Sequence, residues 1–319
     1  VIQFTAACQE RTFVDHDGVN IHFYQWRAGH PRAVVQIAHG LGEYAGRYEE
    51  LAQKLVGAGF TVYADDHRGH GQTGLEQWGG DHTQLGKLGA GGIRSTVESV
   101  YELTALIKAE HPGVPVILLG HSWGSLIGQR LVNDHSEEYA AAVLTGTALR
   151  TLRRMNGGDL AKRHRQLGTT GFEWLSRDER VSHAFLDDPL TFTATALKLF
   201  GVRESLRLLG LPARNLPHDL PVLIQIGSED TLGGTRSVEL LAEAYLKRSH
   251  LSDVQLIIYE GARHEVFNET NREEVFADTI GWMLARFGPG SADAQSAGAH
   301  SADARSADAS ANLPSDRER

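Results

Sequence analysis

A serine held between two glycines is the group in this chain around which covalent chemistry could be built. Ser122 stands in Gly120-His121-Ser122-Trp123-Gly124, directly after the apolar run at 116–119 and before residues 126–133, whose apolar positions recur at helical spacing. Strand, sharp turn and helix form the context in which Gly-x-Ser-x-Gly lifts a hydroxyl clear of a sheet and turns helix N-terminal amides toward an anion. A neutral hydroxyl is a weak nucleophile, so it needs a base to take its proton and a carboxylate to orient that base. His264 in Gly261-Ala262-Arg263-His264-Glu265 and Asp230 in Gly227-Ser228-Glu229-Asp230 suit those roles, because each follows a short apolar strand later in the chain than the serine. Glu229 is the alternative acid. An oxyanion formed at the serine would need two N–H donors. The amide of Trp123 is one, and the other is that of Leu41, in the glycine-flanked loop His39-Gly40-Leu41-Gly42. His39 is read as a buttress of that loop.

The elements that must position these groups can be read in order. Residues 11–16 and 19–26 alternate in character about Asp17-Gly18 and predict a β-hairpin on the sheet edge. Apolar runs at 33–38, 60–64, 140–145, 221–226 and 254–259 predict further strands, several of them of the continuous kind covered by helices on both faces. Helices are expected at 47–56 and 91–109, the latter with Ile93, Val97, Val100, Leu103 and Ile107 on one face. Strand and helix alternate through residue 146, which implies right-handed crossovers and a mostly parallel sheet, hence an α/β fold. Two patterns after strand 60–64 compete with this reading. Gly69-His70-Gly71-Gln72-Thr73-Gly74 satisfies the dinucleotide fingerprint, but residues 75–80 look too glycine-rich for the helix that must open there. His67 and His70, with Asp65, Asp66, Asp81 and His82 nearby, lack diagnostic ligand spacing and are read as a hydrogen-bonded loop.

Composition sets bounds on function. With 319 residues, 41% of them hydrophobic, one large core is attainable without a second independent domain. A formal net charge of −9 argues against a nucleic-acid partner and against general attraction to anionic lipid surfaces. No apolar run approaches the roughly 20 residues that cross a bilayer. The start shows no basic segment followed by an apolar one, so no signal peptide is expected. Cys8, the single cysteine, excludes an internal disulfide and fits a cytoplasmic location.

The order Ser122, Asp230, His264 is that of an α/β-hydrolase, not of the chymotrypsin or subtilisin arrangements. The segments 39–48 and 66–71, the serine turn, 227–230 and 259–265 together resemble the monoacylglycerol lipase and lysophospholipase family of serine hydrolases. The resemblance runs from roughly residue 10 to residue 287. It implies an α/β-hydrolase fold, with a mostly parallel eight-stranded sheet flanked by helices, an inserted helical cap over an acyl tunnel, and a Ser122–Asp230–His264 triad. It also implies that Glu43 and Arg47 bind the polar glycerol end of a substrate, with a local salt bridge between them as the alternative. Core residues 1–147 and 217–288 would then flank a cap at 148–216. Residues 289–319, where Ser-Ala-Asp-Ala recurs at 291, 301 and 306, read as a low-complexity, disordered tail. The chain departs from the family at Trp123 and Ser125, where a small apolar or Met residue and a second glycine are usual. The cap also begins with a run of basic residues, among them Arg150, Arg153, Arg154, Lys162, Arg163 and Arg165, where a membrane-docking lid would expose an apolar face.

The expected reaction is two-step acyl transfer to Ser122 and then to water, releasing a fatty acid and needing no metal or organic cofactor. The expected partner is a small-molecule ester, an acylglycerol or similar, with membrane contact through the cap left open. Two rivals share the fold. A serine aminopeptidase would need acidic groups facing the site, for which Asp178, Glu179, Asp187 and Asp188 are available. A catalytically silent binding protein would have no need of all three triad groups.

Overall fold

The chain enters its sheet through the hairpin. β1 (Cys8–Val14) and β2 (Asn20–Trp26) pair antiparallel from Cys8 opposite Trp26 to Val14 opposite Asn20. Their turn is held by Asp15, whose carboxylate accepts the amides of Asp17 and Val19 at 3.0 and 2.9 Å. β2 then lies antiparallel to the first crossover strand, so the hairpin closes one edge of the sheet. This computed structural model describes residues 6–288.

Beyond the hairpin, strand and helix alternate as the apolar pattern requires. β3 (Val34–Ala38) is followed by α1 (Glu49–Gly57), β4 (Thr61–Asp65), α2 (Gly71–Gln77), α3 (Gly92–Glu110), β5 (Val116–His121), α4 (Trp123–His135) and β6 (Ala141–Thr145). After the 148–216 segment, which contains α5 (Glu179–Asp187) and α6 (Ala196–Leu206), come β7 (Val222–Gly227), α7 (Thr235–Lys247), β8 (Val254–Tyr259) and α8 (Arg272–Phe287). The eight strands are ordered β1-β2-β4-β3-β5-β6-β7-β8, and from β4 to β8 every neighbouring pair is parallel. β3 through β7 are buried along their whole length, as expected for strands covered on both faces. The predicted face of α3, Ile93, Val97, Val100, Leu103 and Ile107, is buried against them. Truncating one such residue to alanine costs about 2–5 kcal/mol. Gln36 breaks the apolar run of β3, and α3 satisfies it: its amide donates to the Val100 carbonyl at 2.8 Å and accepts from Thr104 at 2.7 Å.

Two expectations change. A helix does open at the fingerprint loop, since α2 begins at Gly71. Its N-terminus is already filled by the chain's own carboxylate, for Asp66 accepts the amides of Gln72 and Ala45 at 2.7 and 2.9 Å. The place where a dinucleotide phosphate would sit is therefore occupied, and burial raises the Asp66 pKa to about 6. The apolar stripe read over 199–209 is also only partly buried: Val202 and Leu206 are exposed, and α6 kinks at Gly201 (φ 72°).

The described residues divide into two units, one ending at Ala277, which holds the sheet and every residue of the site below, and one beginning at Asp278. The second unit takes the latter part of α8, and the low-complexity stretch 289–319 lies outside the described residues. Among the described residues no helix is long and apolar enough to cross a membrane.

Candidate active site

The apolar strand β5 runs into α4 with one residue between them, and that residue is Ser122. Its backbone lies at φ 51° and ψ −120°, a conformation that costs a non-glycine residue about 1–3 kcal/mol. The surroundings hold it there. The Ser122 amide donates to the Thr145 carbonyl on β6 at 3.0 Å, and the Ser125 hydroxyl donates to the Ser122 carbonyl at 2.6 Å. Both flanking glycines are steric requirements. A Cβ on Gly120 would lie 2.5 Å from the Gly124 carbonyl oxygen, and one on Gly124 would lie 2.0 Å from that of Ala38. Helix and strand approach this closely only because neither residue has a side chain.

The same close approach sets the first turn of α4 beside the loop that follows β3. Leu41 and Trp123 line one cavity with Ser122, and among the described residues neither of their amides donates a backbone hydrogen bond. Trp123 stands at the amino end of the 13-residue α4, where free N–H groups favour negative charge. His39 is fully buried beneath this loop. One ring nitrogen lies 2.7 Å from the Gly40 carbonyl and the other accepts the His67 amide at 3.0 Å, so its ring is committed to holding backbone. His67 in turn is bonded to Asp65 at 2.7 Å and stacks on His39, while His70 lies against the indole of Trp123. Burial pushes His39 well below its ordinary pKa and His70 to about 3, so both rings are neutral at physiological pH.

Asp230, just beyond β7, and His264, just beyond β8, meet across neighbouring strand ends. His264 Nδ1 lies 3.0 Å from Asp230 Oδ2, and the other Asp230 oxygen accepts the Leu232 amide at 2.7 Å. Glu229 instead points outward to an ion pair with Arg163, so it is Asp230 that reaches the imidazole. His264 Nε2 is buried and has no hydrogen-bond partner among the described residues, and no hydrogen bond joins it to Ser122. The ring packs against His121, the residue before Ser122, at 4.9 Å, and against Trp174, which lines the Ser122 cavity, at 4.8 Å. Burial opposes protonation of His264, but the charge and hydrogen bond of Asp230, together with Glu265 and Glu43, outweigh it and raise its pKa above the ordinary value. His121 is bonded to the Thr145 hydroxyl rather than to a carboxylate, and burial, with Glu265 opposing it only weakly, takes it down to about 3.

Glu43 and Arg47 lie in neither the cavity nor open solvent. Glu43 accepts the Gly40 amide at 2.6 Å, the Tyr48 hydroxyl at 2.8 Å and Arg47 at 2.7 Å. Arg47 also grips Glu265 through two bonds of 2.7 and 2.8 Å. A chain of hydrogen bonds therefore links the residue before Leu41 to the residue after His264. Of these partners Glu265 was not foreseen, although its position next to His264 was a signal. Burial raises the pKa of Glu43. Glu265 is equally buried, but the paired guanidinium outweighs this and takes it to about 2.

The cavity beside Ser122 has a volume of about 140 Å³. Much of its wall comes from the 148–216 segment, including Phe172, Trp174, Phe185, Phe192 and Leu208, with Leu126 of α4 also lining it. Trp123 extends the contact, with Phe200 of α6 at 5.7 Å from its ring. None of Asp178, Glu179, Asp187 and Asp188 lines this cavity. Asp178 caps α5 and pairs with Arg180, and Asp188 accepts the Tyr44 hydroxyl at 2.9 Å. No acid of that group is placed to seat a free α-amine.

Residues 29–271 match the family model Hydrolase_4, described as serine aminopeptidase, S33. The chain is 32% identical over 296 residues to the monoacylglycerol lipase of Mycolicibacterium smegmatis, covering 86% of this chain and 97% of that protein. It is 30% identical to human monoglyceride lipase, covering 86% and 89% respectively. Among solved structures, a thermostable carboxyl esterase from Bacillus coagulans superposes with a TM-score of 0.75 at 24% identity, covering 89% of this chain and all of that one.

Proposed function

This chain belongs to the Hydrolase_4 family (serine aminopeptidase, S33) and is a serine carboxylic ester hydrolase, and we propose that it cleaves monoacylglycerol-type esters through Ser122, His264 and Asp230. The observation that carries the assignment of residues is the buried, partnerless Nε2 of His264, whose other nitrogen is committed to Asp230. With the carboxylate accepting at Nδ1, Nε2 is left as a proton acceptor.

In the first step Nε2 removes the Ser122 proton as Oγ bonds to the ester carbonyl carbon. The carbonyl oxygen takes the negative charge and is met by the amides of Leu41 and Trp123. Collapse of this intermediate breaks the bond to the alcohol oxygen, which leaves with the proton from His264. In the second step His264 deprotonates water, the water oxygen bonds to the acyl carbon, and Ser122 Oγ leaves and regains its proton. Asp230 holds the tautomer and stabilises the imidazolium in both halves. His264 and Ser122 are not bonded in the free enzyme, and this hydrogen bond forms as substrate fills the cavity.

The relatives named above are a monoacylglycerol lipase and a monoglyceride lipase, and the aromatic and aliphatic cavity wall suits an acyl chain. Residues 148–216 act as the cap that excludes water from the acyl-enzyme. The exposed Leu152, Leu197, Val202 and Leu206 on this segment give it a surface for meeting dispersed lipid. Glu43 and Arg47 act by positioning the loops on either side of the serine rather than by holding glycerol, since their polar atoms are spent on each other, Gly40 and Glu265.

The test is a panel of phenyl esters of increasing acyl length, given to the wild type and to Ser122→Ala. The wild type is expected to hydrolyse the panel, with an optimum set by cavity depth. The variant is expected to be inactive, with unaltered thermal unfolding. Full activity in the variant would remove Ser122 from the mechanism.

A further inference from the structure

Next to the Ser122 cavity lies a second, open groove of about 850 Å³ with a different lining. Five cations border it: Arg153, Arg154, Lys162, Arg163 and Arg236. Two are neutralised, Arg163 by Glu229 and Arg236 by Glu239. Arg153, Arg154 and Lys162 are exposed and have no carboxylate partner among the described residues. The two acids on the wall are engaged elsewhere. Asp159 caps Ala161 and pairs with Arg165, while both oxygens of Asp230 are taken by His264 and the Leu232 amide. The groove thus presents uncompensated positive charge on a chain whose net charge is −9, so it cannot be a sample of the average surface.

Its location ties it to catalysis. Met155, Asn156, Gly157, Asp159, Leu160 and Leu232 line both the groove and the Ser122 cavity, so the two spaces share a wall, on which the one acid, Asp159, is paired with Arg165. An ester with its carbonyl at Ser122 and its acyl chain in the apolar cavity has its alcohol half outside that cavity. A flexible, solvated cluster of two guanidinium groups and one ammonium suits a phosphate or carboxylate there, because these side chains offer fork and point-charge donors.

On the reading that Ser122 is the nucleophile for monoacyl esters, we infer that Arg153, Arg154 and Lys162 form a headgroup subsite, which directs the enzyme toward monoacyl esters with an anionic alcohol half, such as a glycerol phosphate. The subsite adds selectivity for the leaving half, and the chemistry at the carbonyl is unchanged.

The test uses the full chain, the triple variant Arg153→Ala/Arg154→Ala/Lys162→Ala, and two monomeric substrates with the same short acyl chain, octanoyl glycerol and octanoyl glycerol phosphate. The expected result is a rise of about ten-fold in KM for the phosphate ester in the variant, with kcat retained and hydrolysis of octanoyl glycerol unaltered. Raising salt from about 0.05 to about 0.5 M should weaken phosphate-ester binding in the wild type and much less in the variant. An unchanged KM ratio between the two substrates would overturn the subsite. So would a variant effect seen only when substrate is presented in vesicles containing anionic lipid, since the cations would then be reading a lipid surface. Absence of Ser122-dependent hydrolysis of octanoyl glycerol would instead count against the underlying ester-hydrolase assignment, so the two failures are distinguishable.

Discussion

Removing the Arg47 guanidinium tests how the loops on both sides of Ser122 are held. In the native protein it makes three charge-assisted hydrogen bonds of 2.7–2.8 Å to two buried carboxylates, Glu43 and Glu265, whose side chains are 4% and 5% exposed. Arg47→Ala leaves both without their cation. Breaking a buried ion pair from one side costs about 3–5 kcal/mol, a large share of the roughly 5–15 kcal/mol that stabilises a domain. The pH dependence carries a definite sign. The native pKa of Glu265 is held near 2, so it contributes stability that is present above its ordinary value of 4.5 and lost as pH falls toward 2. Without Arg47 burial is opposed only by the Asn268 hydrogen bond and the weaker influence of His121, so the native pKa rises and ionisation of Glu265 favours the fold far less as pH climbs. The stability gap between wild type and variant should therefore widen from about pH 4 to about pH 8. Urea unfolding across that range measures it. Adding Glu265→Gln should recover part of the loss, because one of the two stranded charges is gone. A cost below about 1 kcal/mol that does not vary with pH would refute the reasoning, because it is the behaviour of a solvated pair. Ester hydrolysis should fall alongside, since the Glu43 bond to the Gly40 amide and the Glu265 neighbour of His264 both loosen.

The other predictions concern the base and the turn. Because carboxylates raise the His264 pKa above 6.5, the acid limb of kcat/KM should lie above that value, activity being lost as pH falls and Nε2 takes a proton; a pH–rate profile with its limb below 6.5 would contradict this. Asp230→Asn removes the acceptor that fixes the tautomer, and kcat for a phenyl ester should drop by about 10³–10⁴ with the fold retained by circular dichroism. Gly124→Ala would put a methyl 2.0 Å from the Ala38 carbonyl oxygen, forcing β3 and α4 apart. A loss of about 1–3 kcal/mol in unfolding free energy, together with loss of turnover, is expected, and a wild-type stability would show that the elbow tolerates a wider separation.

Much of this protein was legible in one dimension. Continuous Val, Ile and Leu runs separated by helical spacing specify buried parallel strands, because only a strand covered on both faces can be apolar at every position. The glycines around Ser122 and the chain order of Ser122, Asp230 and His264 encode a strained turn and two strand-end loops, features that depend on neighbours in sequence. Other properties arise from residues far apart along the chain and required coordinates. Whether Asp66 fills the α2 N-terminus, whether Glu43 and Arg47 face substrate or each other, and that Glu265 completes their network all depend on contacts between loops. The basic start of the 148–216 segment showed charge in the sequence, but only the fold separated it into buried Arg150, paired Arg163 and Arg165, and Arg153, Arg154 and Lys162, which have no carboxylate partner among the described residues. Local pattern fixes which residues form an element, through backbone sterics and periodic burial. Which charges are neutralised is decided by tertiary approach, since Coulomb energy depends on distance and dielectric, and neither is written in sequence spacing.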